Sequence, residues 1–172
     1  MKKLSLLLFL FIIPFSGLIK GQLKIGYVDS DSIMDKFADA QDARQKLDAI
    51  IQEWQTELSK LESNWKSKYD DYEKRKLIMS DQTRAETESE LVKLEKQIGD
   101  YREKKFGTNG ELFQKQDEIM KPVQNKVFTA IKDVAKAEDL DFIFDRSGDV
   151  MLLFAKDEYD VTALVLDKLK LK

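Results

Sequence analysis

The chain has 172 residues, of which 35% are charged, with 29 Lys and Arg against 32 Asp and Glu. It has no histidine and no cysteine, which excludes histidine acid–base catalysis, cysteine nucleophiles, disulfides and most zinc sites. A net acidic chain is also a poor general binder of nucleic acid, because that affinity comes mainly from neutralising phosphates.

The first segment has the layout of a secretory signal peptide. After two lysines, an almost uninterrupted apolar run extends from Leu4 to Phe15, and small residues follow up to Gly21. The run is shorter than the roughly 20 residues of a membrane-spanning helix, so an uncleaved anchor is the less favoured alternative. We expect residues 1–21 to be removed on export. They carry three of the basic side chains and no acidic ones, so the mature chain has a formal charge of −6 rather than −3.

The mature chain is predicted to begin with a strand and a helix start. Residues 23–28, LKIGYV, are apolar and rich in β-branched or aromatic side chains, which is typical of a buried strand. The DSDS that follows predicts an N-cap at Asp29, Ser30 or Ser32.

From about residue 32 to 138 the sequence is dense in charge, and apolar residues recur at alternating steps of three and four, as in a coiled coil. An unbroken helix of one hundred residues would be about 150 Å long, so a fold-back is expected. We place the turn at residues 79–82, with Ser80 capping the second helix. The apolar series is Leu47, Ile51, Trp54, Leu58, Leu61, Trp65, Tyr72, Leu91, Leu94, Ile98, Tyr101, Leu112, Ile119, Val123, Ala130, Val134 and Ala137.

The glycine-rich segment FGTNG lies within the second predicted helix. With the turn placed as above, Phe106 falls opposite Trp54. Gly107 and Gly110 would then either make room for that ring or act as a flexible joint, and Pro122 marks a second irregularity. Replacing both glycines by alanine is expected to stabilise the helix, since glycine costs about 1 kcal/mol relative to alanine.

Residues 139–172 change character. The short apolar runs DLDFIFD and VMLLFA, joined by RSGD, predict a β-hairpin. YDVTALVLDKLKLK predicts a short amphipathic helix capped by Asp160 or Thr162. The predicted fold is therefore α+β and mostly helical, with a strand, a long antiparallel coiled-coil hairpin, a β-hairpin and a short helix in that order.

No sequence motif indicates an enzyme. The patterns G-x-S-x-G, G-x-x-x-x-G-K and G-x-G-x-x-G do not occur. Residues 29–40 begin like a calcium loop, but Met34 replaces the required glycine and Ala40 the bidentate glutamate. We interpret this stretch as a helix-capping turn and expect no catalytic, cofactor or metal site.

Three ordered blocks, KIGYVDSDSIM, KPVQNKVFTAIKDVAKAEDLDFIFD and SGDVMLLFAKDEYDVTALVLDKL, resemble the Skp/OmpH family of periplasmic chaperones for outer-membrane proteins. FGTNGELF and the MSD at the turn are similar to Bacteroidetes variants. The resemblance implies a jellyfish-like homotrimer, with a small β-rich trimerisation body (22–38 and 123–172) and helical-hairpin tentacles (39–122). It also implies ATP-independent binding of unfolded outer-membrane β-barrel proteins in the cavity between the tentacles.

These expectations assign residues to three roles. The trimerisation body would use Ile25, Tyr27, Val28, Phe142, Phe144, Leu152 and Phe154. Candidate client contacts are Leu77, Ile78 and Met79 at the turn. Trp65 is a further candidate, although packing inside the hairpin is the favoured interpretation of this residue. The hinge candidates are Gly107, Gly110 and Pro122.

The best-known member of the family is strongly basic, and its attraction to lipopolysaccharide and acidic membranes is assigned to basic tentacle residues. Because this chain is acidic overall, that property is not carried over to it. A structural coiled-coil adaptor of the cell envelope, with one fixed folded partner, is the alternative function.

Overall fold

A computed structural model of the protein describes residues 23–148 and 152–170, and the predicted signal peptide at residues 1–21 lies outside them. In chain order the elements are β1 (Ile25–Val28), α1 (Ser30–Lys36), α2 (Ala38–Arg75), α3 (Asp81–Phe106), α4 (Glu111–Ala137), β2 (Phe142–Asp145), a 3₁₀ turn (Asp157–Tyr159) and α5 (Thr162–Lys170). The mostly helical α+β class is therefore confirmed. We call residues 39–122 the arm and the other described residues the body.

Helix α1 begins where the sequence predicts. The side chain of Asp29 accepts a hydrogen bond of 2.8 Å from the Ser32 N–H, which confirms Asp29 as the N-cap. The helix ends at Lys36, and the extended backbone of Phe37 separates α1 from α2. The acidic stretch thus satisfies backbone donors, as the helix-capping interpretation requires.

Most of the arm consists of α2 and its antiparallel neighbour α3, and the first residues of α4 complete it. Lys68 contacts Glu90 at 2.5 Å, and Arg102 pairs with Glu62, so residues farther along α2 meet residues nearer the start of α3. The residues of the apolar series on both helices are buried or half-buried, whereas most of their neighbours are exposed. Ser80 accepts a hydrogen bond from the Thr83 N–H and is the N-cap of α3, as predicted. The connection covers residues 76–80, slightly earlier than the predicted 79–82.

The chain leaves the helical conformation between α3 and α4. The Gly107 N–H still donates to the Glu103 carbonyl, and the Gly110 N–H donates to the Gly107 carbonyl at 2.8 Å. After this break α4 returns along the lower part of α2, where Lys126 pairs with Asp39 at 2.5 Å. Helix α4 continues on both sides of Pro122.

The expectation that alanine would be stabilising at the two glycines is wrong. Both have extended backbones between helices, with φ −63° and ψ 168° at Gly107 and φ −69° and ψ 174° at Gly110. A Cβ on Gly107 would overlap the carbonyl oxygen of Glu103, and one on Gly110 would lie 2.9 Å from the Lys105 carbonyl oxygen. Glycine is needed here because backbone segments approach each other closely.

The predicted β-hairpin is also wrong. Strand β2 pairs in parallel with β1, with Ile25 opposite Phe142, and residues 152–156 form no strand. The chain after β2 lies against the start of α1. The Arg146 N–H donates to the Val28 carbonyl at 2.7 Å, and the Ser147 hydroxyl donates to Asp29 at 3.0 Å. On its other side β1 forms one parallel bridge, from Tyr27 to Asp160.

One apolar core holds the body together and extends into the root of the arm. Ile33 from α1 and Val165 from α5 are fully buried in it, and α4 provides its longest side. Its buried members are Val28, Ile33, Phe37, Ala40, Ala43, Val123, Val127, Ala130, Val134, Val161, Val165 and Leu169.

Candidate functional site

The outward face of the two-stranded sheet carries a patch of apolar side chains. Ile25 and Phe142 are paired in register and both exposed, Phe142 by 54%, and Phe144 lies beside them opposite Tyr27. Leu153 and Phe154 are both more than four-fifths exposed. A groove of about 1050 Å³ opens on this surface. Its lining includes Leu23, Ile25, Tyr27, Leu140, Phe144, Leu152 and Phe154. We call Ile25, Phe142, Phe144, Leu153 and Phe154 the sheet patch.

The predicted trimerisation residues therefore fall into two groups. Phe142, Phe144 and Phe154 are exposed, and Leu152 is half-buried in the groove. Val28 packs in the chain's own core, behind the sheet. Tyr27 is buried as well, and burial together with the carboxylates of Asp160 and Asp157 raises the pKa of its hydroxyl. Sequence reasoning missed Leu153, because strand alternation would have turned it inward.

A polar network anchors the sheet to the start of α1. Asp145 at the end of β2 accepts hydrogen bonds from the Ser30 N–H at 3.1 Å, the Ser30 hydroxyl at 2.5 Å and the Ser147 N–H at 3.0 Å. Burial raises the pKa of the Asp145 carboxyl, but the hydrogen bonds from Ser30 and Ser147 together outweigh it and hold that pKa below its ordinary value. The network lies behind the sheet patch and fixes where β2 ends.

The far end of the arm exposes an apolar tip. Leu77 and Ile78 are 89% and 83% exposed, and Met79 is half-buried beside them. The Ile78 N–H donates to the Arg75 carbonyl at 2.9 Å, so the backbone continues the helix end by one turn and holds the two side chains outward. The structure therefore places the three predicted contact residues together, with Leu77 and Ile78 not packed against the arm.

Trp65 lies farther down α2, half-buried on the side facing α3. Its ring stacks on Tyr69, with centroids 5.1 Å apart and planes at 11°. Its indole nitrogen makes no hydrogen bond to any described residue. Trp65 is therefore both packed against a neighbouring ring and partly exposed. The exposed Tyr69 extends this aromatic surface one turn toward the tip.

A cluster of side chains surrounds the break in the arm. The Lys105 ammonium lies 4.3 Å from the centre of the Trp54 ring and 6.0 Å from that of Tyr101, and it pairs with Glu111. The hydrogen bond from Lys105 and its charge lower the pKa of the Glu111 carboxyl. Phe106 meets Trp54 edge-on. Sequence reasoning found the Trp54–Phe106 pair but missed Lys105 and Glu111, whose only signal was opposite charge on the two sides of the glycines.

The part of the chain that the structure describes offers no group of three acidic side chains able to hold a metal ion. No helix in that part is long and apolar enough to cross a membrane. What the described surface does offer is exposed apolar side chains at the sheet patch and at the tip.

Comparison with known proteins agrees with this arrangement. The family model of outer membrane proteins (OmpH-like) matches residues 24–169. The chain belongs to the OmpH-like family. The matched residues of this OmpH-like protein include both the body and the arm. No curated protein matches the chain significantly.

A similar solved structure is the crystal structure of a candidate outer membrane chaperone (OmpH-like) from Caulobacter crescentus CB15. The two chains are 15% identical, with a TM-score of 0.74, and the match covers 87% of this chain and 85% of that one. At this identity the likeness shows a shared fold. This OmpH-like protein therefore keeps the family architecture with a largely different sequence.

Proposed function

We propose that this protein is an ATP-independent chaperone that binds unfolded outer-membrane proteins in the periplasm and prevents their aggregation. The observation that carries the proposal is the apolar tip, where Leu77 and Ile78 are almost fully exposed at the end of a long charged arm. Exposed apolar residues at a loop tip cost solubility unless they contact something. Membership of the OmpH-like family supports an outer-membrane protein as what they contact.

We further propose that the body assembles as a homotrimer through the sheet patch. Three of its five residues are phenylalanines, Ile25, Phe144 and Phe154 line one groove, and Phe142 is paired in register with Ile25. The β2 edge of the two-stranded sheet is unpaired in the described chain. Such an edge favours aggregation unless another chain covers it. In a trimer built on this face, three arms would enclose a cavity. Tyr27 lies on the same face as Ile25 and would line the interface, and Val28 would support it from the core behind the sheet.

Client binding would rest on many weak contacts rather than on one strong site. Beyond the tip, the arm and the nearby part of α4 expose Val92, Phe113 and Phe128, and Trp65 and Tyr69 form an aromatic strip on α2. Several such contacts on each arm raise the effective affinity for a flexible client through multivalency. The acidic charge of the mature chain would keep the loaded complex soluble.

The test is dilution of a urea-unfolded outer-membrane β-barrel into buffer with the purified chain from residue 22 onward, without nucleotide, followed by light scattering. We expect scattering to fall in proportion to added protein and to vanish near one assembly per client. An unchanged scattering curve would refute the chaperone. A pulldown from envelope extract adds the contrast: many unfolded barrels support the chaperone, and one stoichiometric folded partner supports the structural adaptor.

A further inference from the structure

The break at Gly107–Gly110 separates α3 from α4, whereas α2 beside them is continuous. Helix α2 runs unbroken past this point, whereas α3 ends at Phe106 and α4 begins at Glu111. Backbone hydrogen bonds at the break are local, from Gly107 to Glu103 and from Gly110 to Gly107. No helical ladder therefore ties α3 to α4, and their relative direction depends on how each packs against α2 and on the side chains around the break.

One side chain contacts all three helices at this place. Lys105, in the last turn of α3, reaches the Trp54 ring of α2 and the Glu111 carboxylate in the first turn of α4. Its side chain is only 17% exposed, whereas that of its neighbour Lys104 is 70% exposed and lies 3.5 Å from Glu111. A cation over a tryptophan face and beside a carboxylate is held most strongly when it is shielded from water in this way.

We propose that Lys105 is a clamp that fixes the angle between α3 and α4 at a joint formed by Gly107–Gly110. With the clamp closed, the tip half of the arm is held in one direction relative to the body. With the clamp released, α3 tilts about the glycine segment while α2 bends gently beside Trp54. The angle at the joint is thus set by the charged side chain of Lys105 and not by free rotation of the glycine backbone, because the backbone around both glycines is closely packed.

This inference stands independently of what the arm binds, because it concerns the direction of α3 alone. It also assigns different roles to two adjacent lysines with the same charge. Lys105 would set the joint, and Lys104 would contribute a solvated charge that is screened by salt. That contrast supplies a matched control.

The experiment is a distance measurement by pulsed electron paramagnetic resonance across the break. Because the chain contains no cysteine, nitroxide labels can be attached to single cysteines at the exposed positions Glu95 in α3 and Gln124 in α4. Labelled protein is mixed with excess unlabelled protein so that each assembly holds one labelled chain. Lys105→Met keeps the length of the side chain and removes its charge, and Lys104→Met makes the same charge change next to it.

We expect Lys105→Met and Glu111→Gln to broaden the distance distribution at least twofold and Lys104→Met to leave it unchanged. Lys105→Arg, which keeps the cation, should stay near the parent width. Equal widths for Lys105→Met, Lys104→Met and the parent protein would overturn the clamp, as would equal broadening in both lysine variants. Helix content measured by circular dichroism identifies a variant that has unfolded, in which case Glu111→Gln decides the outcome.

Discussion

Phe106 meets Trp54 edge-on across the arm, with ring centroids 6.1 Å apart and ring planes at 79°. This pair lies where counting outward from a turn near residue 80 places it, so it marks the register of α3 on α2. Aromatic pairs of this geometry stabilise beyond the area that they bury. Phe106 is also the last residue of α3, directly before the break.

Phe106→Ala is expected to lower the free energy of unfolding by about 1–3 kcal/mol, because it removes the edge-on contact and opens a gap beside Trp54. Urea unfolding followed by circular dichroism measures the change. Phe113→Ala is the control: Phe113 is 60% exposed in α4, and its loss should cost less than about 0.5 kcal/mol. Equal costs for the two variants would show that the ring pair is not a stabilising contact.

Gly107→Ala should destabilise the protein by about 1–3 kcal/mol, because its Cβ would overlap the Glu103 carbonyl oxygen. Gly99→Ala should have the opposite sign. Gly99 lies inside α3 with nothing within 4 Å of its Cβ position, so alanine there should stabilise by about 0.5–1 kcal/mol. Thermal unfolding of the two variants in parallel checks the prediction, and stabilisation by Gly107→Ala would contradict the described backbone at the break.

Asp145→Asn should destabilise the protein at neutral pH by about 1–3 kcal/mol, because an amide offers only one acceptor oxygen to the donors from Ser30 and Ser147. The folded state holds the pKa of Asp145 below its ordinary value, so the parent carboxylate stabilises above the unfolded pKa of about 3.9. This contribution is lost as pH falls below that range and through the folded pKa. The stability difference between parent and variant should therefore shrink with acidification, as measured by urea unfolding from pH 7 to pH 3.

The same titration of Asp117→Asn, an exposed position on α4, provides the baseline. We expect that variant to differ from the parent protein by less than about 0.5 kcal/mol at pH 7. A pH-independent gap for Asp145→Asn would mean that the carboxylate charge does not matter at the end of β2.

The double change Leu77→Ser and Ile78→Ser should leave stability within about 0.5 kcal/mol, because both side chains lie almost fully in solvent. Under the proposed chaperone function, it should raise several-fold the concentration needed to halve client aggregation. Gln82→Ser, another exposed position near the tip, should leave that concentration unchanged. If the double variant protects clients as well as the parent does, the tip is not a client contact.

Phe142→Asp should convert the proposed trimer into single chains, because it places a charge in the middle of the sheet patch. Light scattering coupled to gel filtration measures the mass of each assembly. Phe113→Asp introduces the same charge at a similarly exposed phenylalanine on the arm and should leave the mass unchanged. A single-chain mass for the parent protein would refute the trimer and the cavity together.

Several elements could be predicted because their causes lie close together in the chain. The step of three and four between apolar residues predicts a helix, and the residues of the apolar series from Leu47 to Trp65 are half-buried as that step requires. Asp29 and Ser80 cap their helices because a cap needs only a side chain and donors within three residues. Local rules also brought Trp54 opposite Phe106, since two paired helices keep their register over many turns.

The sequence by itself therefore determined the helical spans, the reversal near residue 80 and the exposed apolar tip, because spacing and caps act over a few residues. It did not predict the breaks at Phe37 and at Gly107–Gly110, which divide those spans into four helices. Only the tertiary structure decided what lies between distant segments. Strand β2 pairs with β1 rather than with residues 152–155, and the chain after β2 is hydrogen-bonded to Val28 and Asp29, more than one hundred residues away. Likewise, Gly107 is required by a backbone contact, and Lys105 joins three helices only because the break brings them together. These contacts depend on packing in three dimensions, which periodicity along the chain does not describe.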